Sequence, residues 1–152
     1  MLKLNIVCVG NLKDKFFIDA CNEYKKRLSR FCELSVFELK EYTNLENEEQ
    51  IRNAEGNDIL KHLKGFVVLA DVKGKQLSSE GLAEFLQKQT VLSSEITFVV
   101  GGSYGVSKSV KDKANFALSV SPMTFPHRLF RVMLLEQIYR AFTINNNIKY
   151  HK

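Results

Sequence analysis

Two segments of this sequence are suited to binding a small molecule. Residues 101–105, Gly-Gly-Ser-Tyr-Gly, follow an apolar run, so their backbone amides could approach a ligand closely. They match neither the dinucleotide-binding nor the P-loop pattern, and a plain tight turn is the alternative. Residues 121–127, Ser-Pro-Met-Thr-Phe-Pro-His, form a stiff apolar segment that suits a flat ligand such as adenine. An ordinary strand-to-helix connection, with Thr124 as helix cap and Pro126 in the first turn, is the competing interpretation.

The side chains that could move protons or bind anions lie in the last third of the chain. His127 stands at the start of a long helical pattern, in which Glu136 and Arg140 are spaced to pair across one turn. The final residues, Tyr150-His151-Lys152, form either a frayed tail or a group that stacks on a base and contacts phosphate. The three histidines lack metal-ligand spacing and no G-x-S-x-G motif is present, so we expect neither a metal site nor a serine hydrolase.

The composition predicts a single globular domain over residues 1–152. Hydrophobic residues make up 45% of the chain, with 11 Phe but only 2 Pro and 8 Gly, which excludes disordered, collagen-like and linker-rich classes. No apolar run approaches the ~18 residues of a membrane span, and the N-terminal stretch lacks a signal-peptide cleavage site. The 3 cysteines show no CxxC spacing and are expected to pack in a core. We therefore expect a cytoplasmic protein without a membrane partner.

Positive charge is concentrated near the C-terminus. Residues 107–152 contain eight Lys or Arg against Asp112 and Glu136, whereas the preceding residues hold 14 basic and 15 acidic side chains. A basic third on a neutral body favours an anionic partner, of which nucleic acid is the commonest. A basic solvated face is the alternative.

Strand and helix patterns alternate along the chain, which predicts an α/β fold with a mostly parallel sheet and helices on both faces. Predicted strands cover residues 3–9, 34–39, 66–72, 96–100 and 116–120, and predicted helices cover 14–30, 43–63, 78–89, 107–115 and 126–143. Asp14 is the expected cap of the first helix, and Thr43 with Glu46 has capping-box spacing for the second.

Ligands in such sheets bind beyond the carboxyl ends of the strands. In this chain those ends are followed by the turns after Ala70, Val100 and Val120. We expect the binding site there.

The last predicted helix is apolar on two sides. Phe130, Leu134 and Ile138 belong to one broad apolar face, and Leu129 and Met133 add apolar surface opposite. Such a helix must be covered twice, either within the chain or by a second copy packed with two-fold symmetry.

Four stretches together resemble the RlmH family of SPOUT methyltransferases. They are Phe-Val-Val-Gly-Gly-Ser-Tyr-Gly at 98–105, Leu-Ser-Val-Ser-Pro-Met-Thr-Phe-Pro-His at 118–127, the segment 131–142 and the terminal Tyr-His-Lys. The likeness extends from residues 4–10 through Gly74-Lys75 to the last residue. It implies methylation of N3 of a pseudouridine in 23S rRNA, in the stem-loop that faces the decoding site of the assembled 70S ribosome, with S-adenosylmethionine as donor.

The resemblance also implies a C-terminal trefoil knot, a topology that general rules treat as nearly absent, and a homodimer. It places the methyl donor against eight residues: Ala70, Gly101, Val120, Ser121, Pro122, Met123, Thr124 and Phe125. It brings four candidate catalytic residues near the donor: His127, Arg140, Tyr150 and His151. Three further residues are expected to hold RNA phosphates: Arg128, Arg131 and Lys152.

The chemistry that the resemblance implies requires a base, or cations that stabilise an anion. The N3 imide must lose its proton before it attacks the sulfonium methyl group. The sequence does not assign the base among the four candidates. Two alternatives stay open, a non-catalytic ribosome-binding or RNA-binding α/β module and a small-ligand α/β enzyme unrelated to RNA.

Overall fold

The computed structural model describes residues 1–152, in which five strands and five helices alternate. The strands are β1 (Leu2–Val9), β2 (Cys32–Leu39), β3 (Phe66–Gln76), β4 (Glu95–Val100) and β5 (Phe116–Ser119). The helices are α1 (Lys15–Leu28), α2 (Glu48–Leu60), α3 (Ser79–Leu92), α4 (Lys108–Lys113) and α5 (His127–Asn145). No helix combines the length and apolar character needed to cross a membrane.

The five strands form one sheet in the order β2-β1-β4-β3-β5, and all four neighbouring pairs are parallel. The apolar strands β1, β4 and β3 occupy its interior positions, as expected of strands covered on both faces. The predicted α/β class is confirmed, while the trefoil knot stays a prediction.

Helices cover both faces of the sheet. Side chains of successive strand residues point to opposite faces, so strands that are apolar throughout must be covered on both. Ile6, Phe98 and Val68 point toward α1, α3 and α5 in the larger core cluster. Val7 and Val99 point toward α2 and α4 in the smaller one. The three cysteines are buried, and burial raises the pKa of the Cys8 and Cys32 thiols to about 11, which fits packing residues.

The predicted start of α2 is wrong, because a different cap begins it. The side chain of Asn47 accepts a hydrogen bond from the amide of Gln50 at 2.9 Å, and the Gln50 side chain accepts from the amide of Glu46 at 3.1 Å. This reciprocal pair satisfies amides at the helix start. It replaces the expected pairing of Thr43 with Glu46, so α2 begins at residue 48.

Two other expected caps also differ from the structure. Asp14 occupies the N-cap position of α1 but makes no capping hydrogen bond, and its carboxylate instead pairs with Arg128 at 3.2 Å. Pro126, rather than Thr124, is the N-cap residue of α5. Both differences arise near the carboxyl edge of the sheet, where the start of α5 approaches the start of α1.

Strand β3 continues four residues beyond its predicted end at Val72. Its register with β5 shifts between Ala70 and Lys75, both of which lie opposite Leu118. The intervening residues therefore bulge out of the ladder. Gly74 permits the return, because a Cβ atom there would lie 2.6 Å from the carbonyl oxygen of Ala117.

We expect Gly65→Ala to destabilise the fold by about 2 kcal/mol or more, since a left-handed alanine is strained and overpacking adds to that cost. Gly65 has φ +64°, and a Cβ atom there would collide with the carbonyl oxygen of Glu95. Thermal denaturation measures the loss. Gly81→Ala, inside α3, is the control and should change stability by less than about 1 kcal/mol. Equal melting temperatures for the two variants would contradict the prediction.

Candidate functional site

A cavity of about 540 Å³ opens beyond the carboxyl ends of β3, β4 and β5. This is the edge of the sheet where the sequence predicts a ligand, and the volume lies within the ~300–1,000 Å³ of small-molecule sites. Its walls come from three segments that follow these strands and from the first residues of α5. Of the residues expected to bind the donor or to catalyse, those that line the cavity are Ala70, Gly101, Val120, Ser121, Met123, Thr124, Phe125 and His127.

Residues 101–105, called the glycine loop below, form one wall of the cavity. The amide of Gly105 donates to the carbonyl oxygen of Gly102 at 3.0 Å, and Gly105 adopts φ +81°. The absent side chain at Gly101 matters as well, since a Cβ atom there would lie 2.6 Å from Cγ1 of Val106. The loop therefore keeps its backbone at the cavity surface only with glycine at these positions.

Residues 121–125 form another wall, to which every residue except Pro122 contributes. Ser119 Oγ donates to the carbonyl oxygen of Ser121 at 3.0 Å, and Ser121 Oγ accepts from the amide of Met123 at 3.0 Å. These bonds hold the segment in a defined turn and leave Met123 71% exposed beside the cavity. Pro122 does not line the cavity, although the sequence analysis includes it with its neighbours.

The cavity also contains residues that the sequence analysis did not identify. Arg52 comes from α2, Asp71 and Lys73 from the bulge of β3, and Lys111 from α4. An acidic residue directly after the buried part of β3 was a usable sequence signal for Asp71. Arg52 offered no such signal, because its place at the cavity depends on how α2 packs.

Of the residues expected to contact RNA, two are accessible and one is not. Arg128 is about half exposed and pairs with Asp14, and Lys152 is exposed at the chain end. Arg131 is only 4% exposed, and its guanidinium bonds to Glu38 and to the carbonyl oxygen of Gly10 at 2.9 Å. In this conformation Arg131 joins α5 to β1 and β2 and does not face a phosphate.

Arg140 and Tyr150 bond to Glu136, and His151 bonds to Arg140. Arg140, Tyr150 and His151 are called the tail cluster below. Arg140 Nε and Nη2 donate to Oε1 of Glu136 at 2.9 and 2.6 Å, and the Tyr150 hydroxyl donates to the same oxygen at 3.2 Å. Arg140 also lies over the Tyr150 ring, 4.8 Å from its centroid. The pairing of Glu136 with Arg140 expected from their spacing is confirmed.

The contacts of His151 indicate which of its ring nitrogens carries hydrogen. Arg140 Nη1 lies 3.1 Å from His151 Nδ1, and a guanidinium only donates, so Nδ1 accepts. His151 Nε2 then donates to Oε1 of Glu80 at 2.6 Å. The Nδ1 lone pair of His151 is therefore already engaged by Arg140.

The tail cluster and the cavity lie at different ends of α5. His127 is the first residue of that helix and Arg140 is thirteen residues further on, a separation of about 20 Å along the axis. One chain therefore does not bring all four candidate catalytic residues together. His127 lines the cavity alone, while the tail cluster surrounds Glu136.

Tyr150 is expected to remain protonated throughout the neutral range. Burial, together with hydrogen bonds to Tyr24 and Glu136, raises the pKa of Tyr150 to about 12. Because the folded pKa exceeds the unfolded one, this stabilising contribution is present at neutral pH and disappears as pH rises from about 10 to 12. Ultraviolet difference titration of the wild type and Tyr150→Phe should differ by one phenol that ionises near pH 12. If the phenol missing from the Tyr150→Phe titration were one that ionises near pH 10, the prediction would be contradicted.

Comparison with known proteins agrees with this architecture over the whole chain. The profile of a family described as "Predicted SPOUT methyltransferase" matches residues 2–151. A protein named Ribosomal RNA large subunit methyltransferase H from Caldicellulosiruptor saccharolyticus is 46% identical over 153 residues, covering 98% of this chain and 99% of that protein. A protein of the same name from Clostridium botulinum is 45% identical over 159 residues, covering 99% and 100%. The chain therefore belongs to the SPOUT methyltransferases, within the ribosomal RNA large subunit methyltransferase H (RlmH) family.

Proposed function

We propose that this protein methylates N3 of a pseudouridine in 23S rRNA, on the assembled 70S ribosome, with S-adenosylmethionine as donor. The observation that carries the proposal is a ligand-sized cavity, walled by glycine backbone, at the strand ends of a chain in this family. Relatives of nearly equal length bear the name of a large-subunit ribosomal RNA methyltransferase. The excess of basic residues near the C-terminus adds support for an RNA substrate.

The residues around the cavity fit S-adenosylmethionine. Its adenine suits the apolar wall of residues 121–125. The glycine loop exposes backbone to the cavity, and Gly101 is required there because a Cβ atom would collide with Val106. Asp71, beside the cavity, can accept a hydrogen bond from a hydroxyl or ammonium group of S-adenosylmethionine. When bound, the donor supplies an electrophilic methyl group on a sulfonium sulfur.

The separation of the cavity from the tail cluster supports a homodimer in which each site uses two chains. About 15 Å of α5 separates Arg140 from Phe130, which lines the cavity of the same chain. The face of α5 that includes Leu129 and Met133 is only partly covered within the chain. We propose that a second copy packs on that face with its tail cluster beside the first copy's cavity, so that the candidate residues form one site.

The contacts within the tail cluster suggest how the roles divide. Tyr150 stays protonated and the Nδ1 lone pair of His151 is engaged, so neither is ready to remove a proton. Arg140 carries a permanent charge and is the group that stabilises an imide anion. His127, in the cavity, is then the candidate base for the N3 proton. Full single-turnover rates for alanine variants of His127, His151 and Arg140 would contradict this division.

Arg128 and Lys152 are proposed to hold RNA phosphates, because both are accessible cations at the two ends of the C-terminal region. Replacing either should weaken binding to the same extent whatever the RNA sequence. The slope of log affinity against log salt concentration should become smaller by about one charge. Filter binding over a range of salt concentrations measures this. A variant whose affinity keeps the wild-type salt slope would contradict the assignment.

The proposed function is tested by incubating the protein with methyl-labelled S-adenosylmethionine and 70S ribosomes that lack the modification. Label at N3 of one large-subunit pseudouridine is the expected result, with free subunits and already modified ribosomes as controls. Donor binding without label would move the substrate elsewhere. Ribosome binding without donor binding would support the non-catalytic RNA-binding alternative.

A further inference from the structure

Helix α2 contacts the glycine loop and its continuation at three points. Arg52 Nη1 donates to the carbonyl oxygen of Tyr104 at 3.5 Å. Three residues further on, Glu55 lies against Gly102, and a Cβ atom at Gly56 would collide with Oγ of Ser107. Residues three and four apart share one face of a helix. One face of α2 therefore supports the wall of the cavity.

Glu55 differs from its neighbours because its carboxyl group is buried and one oxygen has no partner. The residue is only 3% exposed. Its Oε2 accepts from the amide of Tyr42 at 3.1 Å, whereas Oε1 has neither a hydrogen bond nor contact with solvent. A Cβ atom on Gly102 would lie 2.7 Å from Oε1, so this oxygen faces the backbone of the glycine loop.

The surroundings of Glu55 compensate only part of its charge. Burial is the main cause that raises the pKa of its carboxyl group, the hydrogen bond from the Tyr42 amide lowers the pKa, and the charge of Glu41 raises it. A buried acceptor without a donor lowers stability, and such groups are uncommon in folded proteins. An unsatisfied group directly behind a ligand cavity therefore points to a functional constraint.

We propose that Glu55 is a positioning residue for the methyl donor, with Oε1 accepting a backbone amide of the glycine loop when the donor occupies the cavity. This inference rests on the proposed function. The glycines at 101, 102 and 105 allow the loop to reorient with little steric cost. The contact of Arg52 with Tyr104 keeps the loop beside α2. The oxygen left unpaired by the fold thus becomes paired on binding.

Glutamine is the informative replacement at this position. It retains the shape of glutamate but has one acceptor oxygen instead of two, so it can serve the Tyr42 amide or the loop amide and not both. A purely packing role would tolerate it. Asp58→Asn is the matched control, because Asp58 is on the same helix and accepts from the Tyr42 hydroxyl at 2.8 Å without contacting the loop.

The experiment compares wild type, Glu55→Gln and Asp58→Asn by calorimetric titration with S-adenosylmethionine and by thermal denaturation without it. We expect Glu55→Gln to weaken donor binding about tenfold or more, the loss typical of a hydrogen bond to a charged acceptor, with an equal or higher melting temperature. Asp58→Asn should bind the donor like the wild type. Hydrogen exchange should show donor-induced protection of the glycine loop only when Glu55 is present.

Three results would overturn the inference. One is wild-type donor affinity in Glu55→Gln. The second is a similar loss of affinity in Asp58→Asn, which would assign the effect to Tyr42. The third is a lower melting temperature of Glu55→Gln with equal losses of donor and ribosome binding, which would show a merely structural role. If the wild-type protein does not bind the donor, the proposed function is refuted as well. The wild-type titration therefore tests the proposed function, and the variants test the role of Glu55.

Discussion

Arg140→Ala is expected to lower the single-turnover rate of methyl transfer by about 100- to 1,000-fold, the usual effect of removing one group that stabilises a developing anion. Donor affinity should change far less than the rate, since the role proposed for Arg140 is to stabilise the imide anion of the RNA and not to hold the donor. The methyl-transfer step itself should be slowed, because contacts with Glu136 and His151 hold the charge of Arg140 in the tail cluster. Rapid-quench assays with labelled donor and calorimetry separate the two quantities.

Two further variants test whether geometry as well as charge is needed. Arg140→Lys retains the positive charge but cannot reproduce the donation by Nε and Nη2 to Glu136, so it should recover only part of the rate. Lys88→Ala removes an exposed cation of α3 that pairs with Glu84 and should leave the rate unchanged. An Arg140→Ala enzyme with the wild-type rate would remove Arg140 from the reaction.

Gly101→Ala is expected to weaken donor binding about 10- to 100-fold, which corresponds to the ~1–3 kcal/mol cost of overpacking. The added Cβ atom would lie 2.6 Å from Cγ1 of Val106 and 3.3 Å from the carbonyl group of Gly105, so the loop must move into the cavity or away from it. Calorimetric titration with S-adenosylmethionine measures the loss. Gly81→Ala, remote from the cavity in α3, should bind like the wild type.

Variants at Gly101 and Arg140 together test whether each site of the homodimer uses two chains. A mixture of chains carrying Gly101→Val and chains carrying Arg140→Ala forms heterodimers with one intact site if cavity and tail cluster come from different chains. Random mixing should then restore about a quarter of wild-type activity, since half the dimers are mixed and each has one complete site. If both parts come from the same chain, every site carries a lesion and no activity returns.

Local signals predicted most of the fold. The alternation of strand and helix patterns indicated a parallel sheet, and Ser107 marked a helix start that the structure contains, whereas α2 ends at Leu60, before its predicted end at residue 63. The start of α2 was mistaken because two cap candidates lie within a few residues, and Asn47 has the better partner in Gln50. The bulge in β3 could not be anticipated, since it depends on register with β5.

The location of the candidate site followed from a general property of parallel sheets. Strand order brings the ends of β3, β4 and β5 side by side, so the segments after Ala70, Val100 and Ser119 meet at one cavity. Arg52 and the buried Glu55 escaped notice because both lie on α2, whose contribution arises only when it packs against the glycine loop.

The sequence by itself determined the order of the elements, the family and the edge of the sheet where the cavity opens, because these depend on local patterns and on motifs. Only the tertiary structure decided which side chains meet. It turned Arg131 inward to Glu38 and placed His127 and the tail cluster at opposite ends of α5. Such outcomes depend on contacts between residues far apart in the chain. Local sequence patterns do not predict those contacts. The same packing leaves one oxygen of Glu55 unpaired behind Gly102.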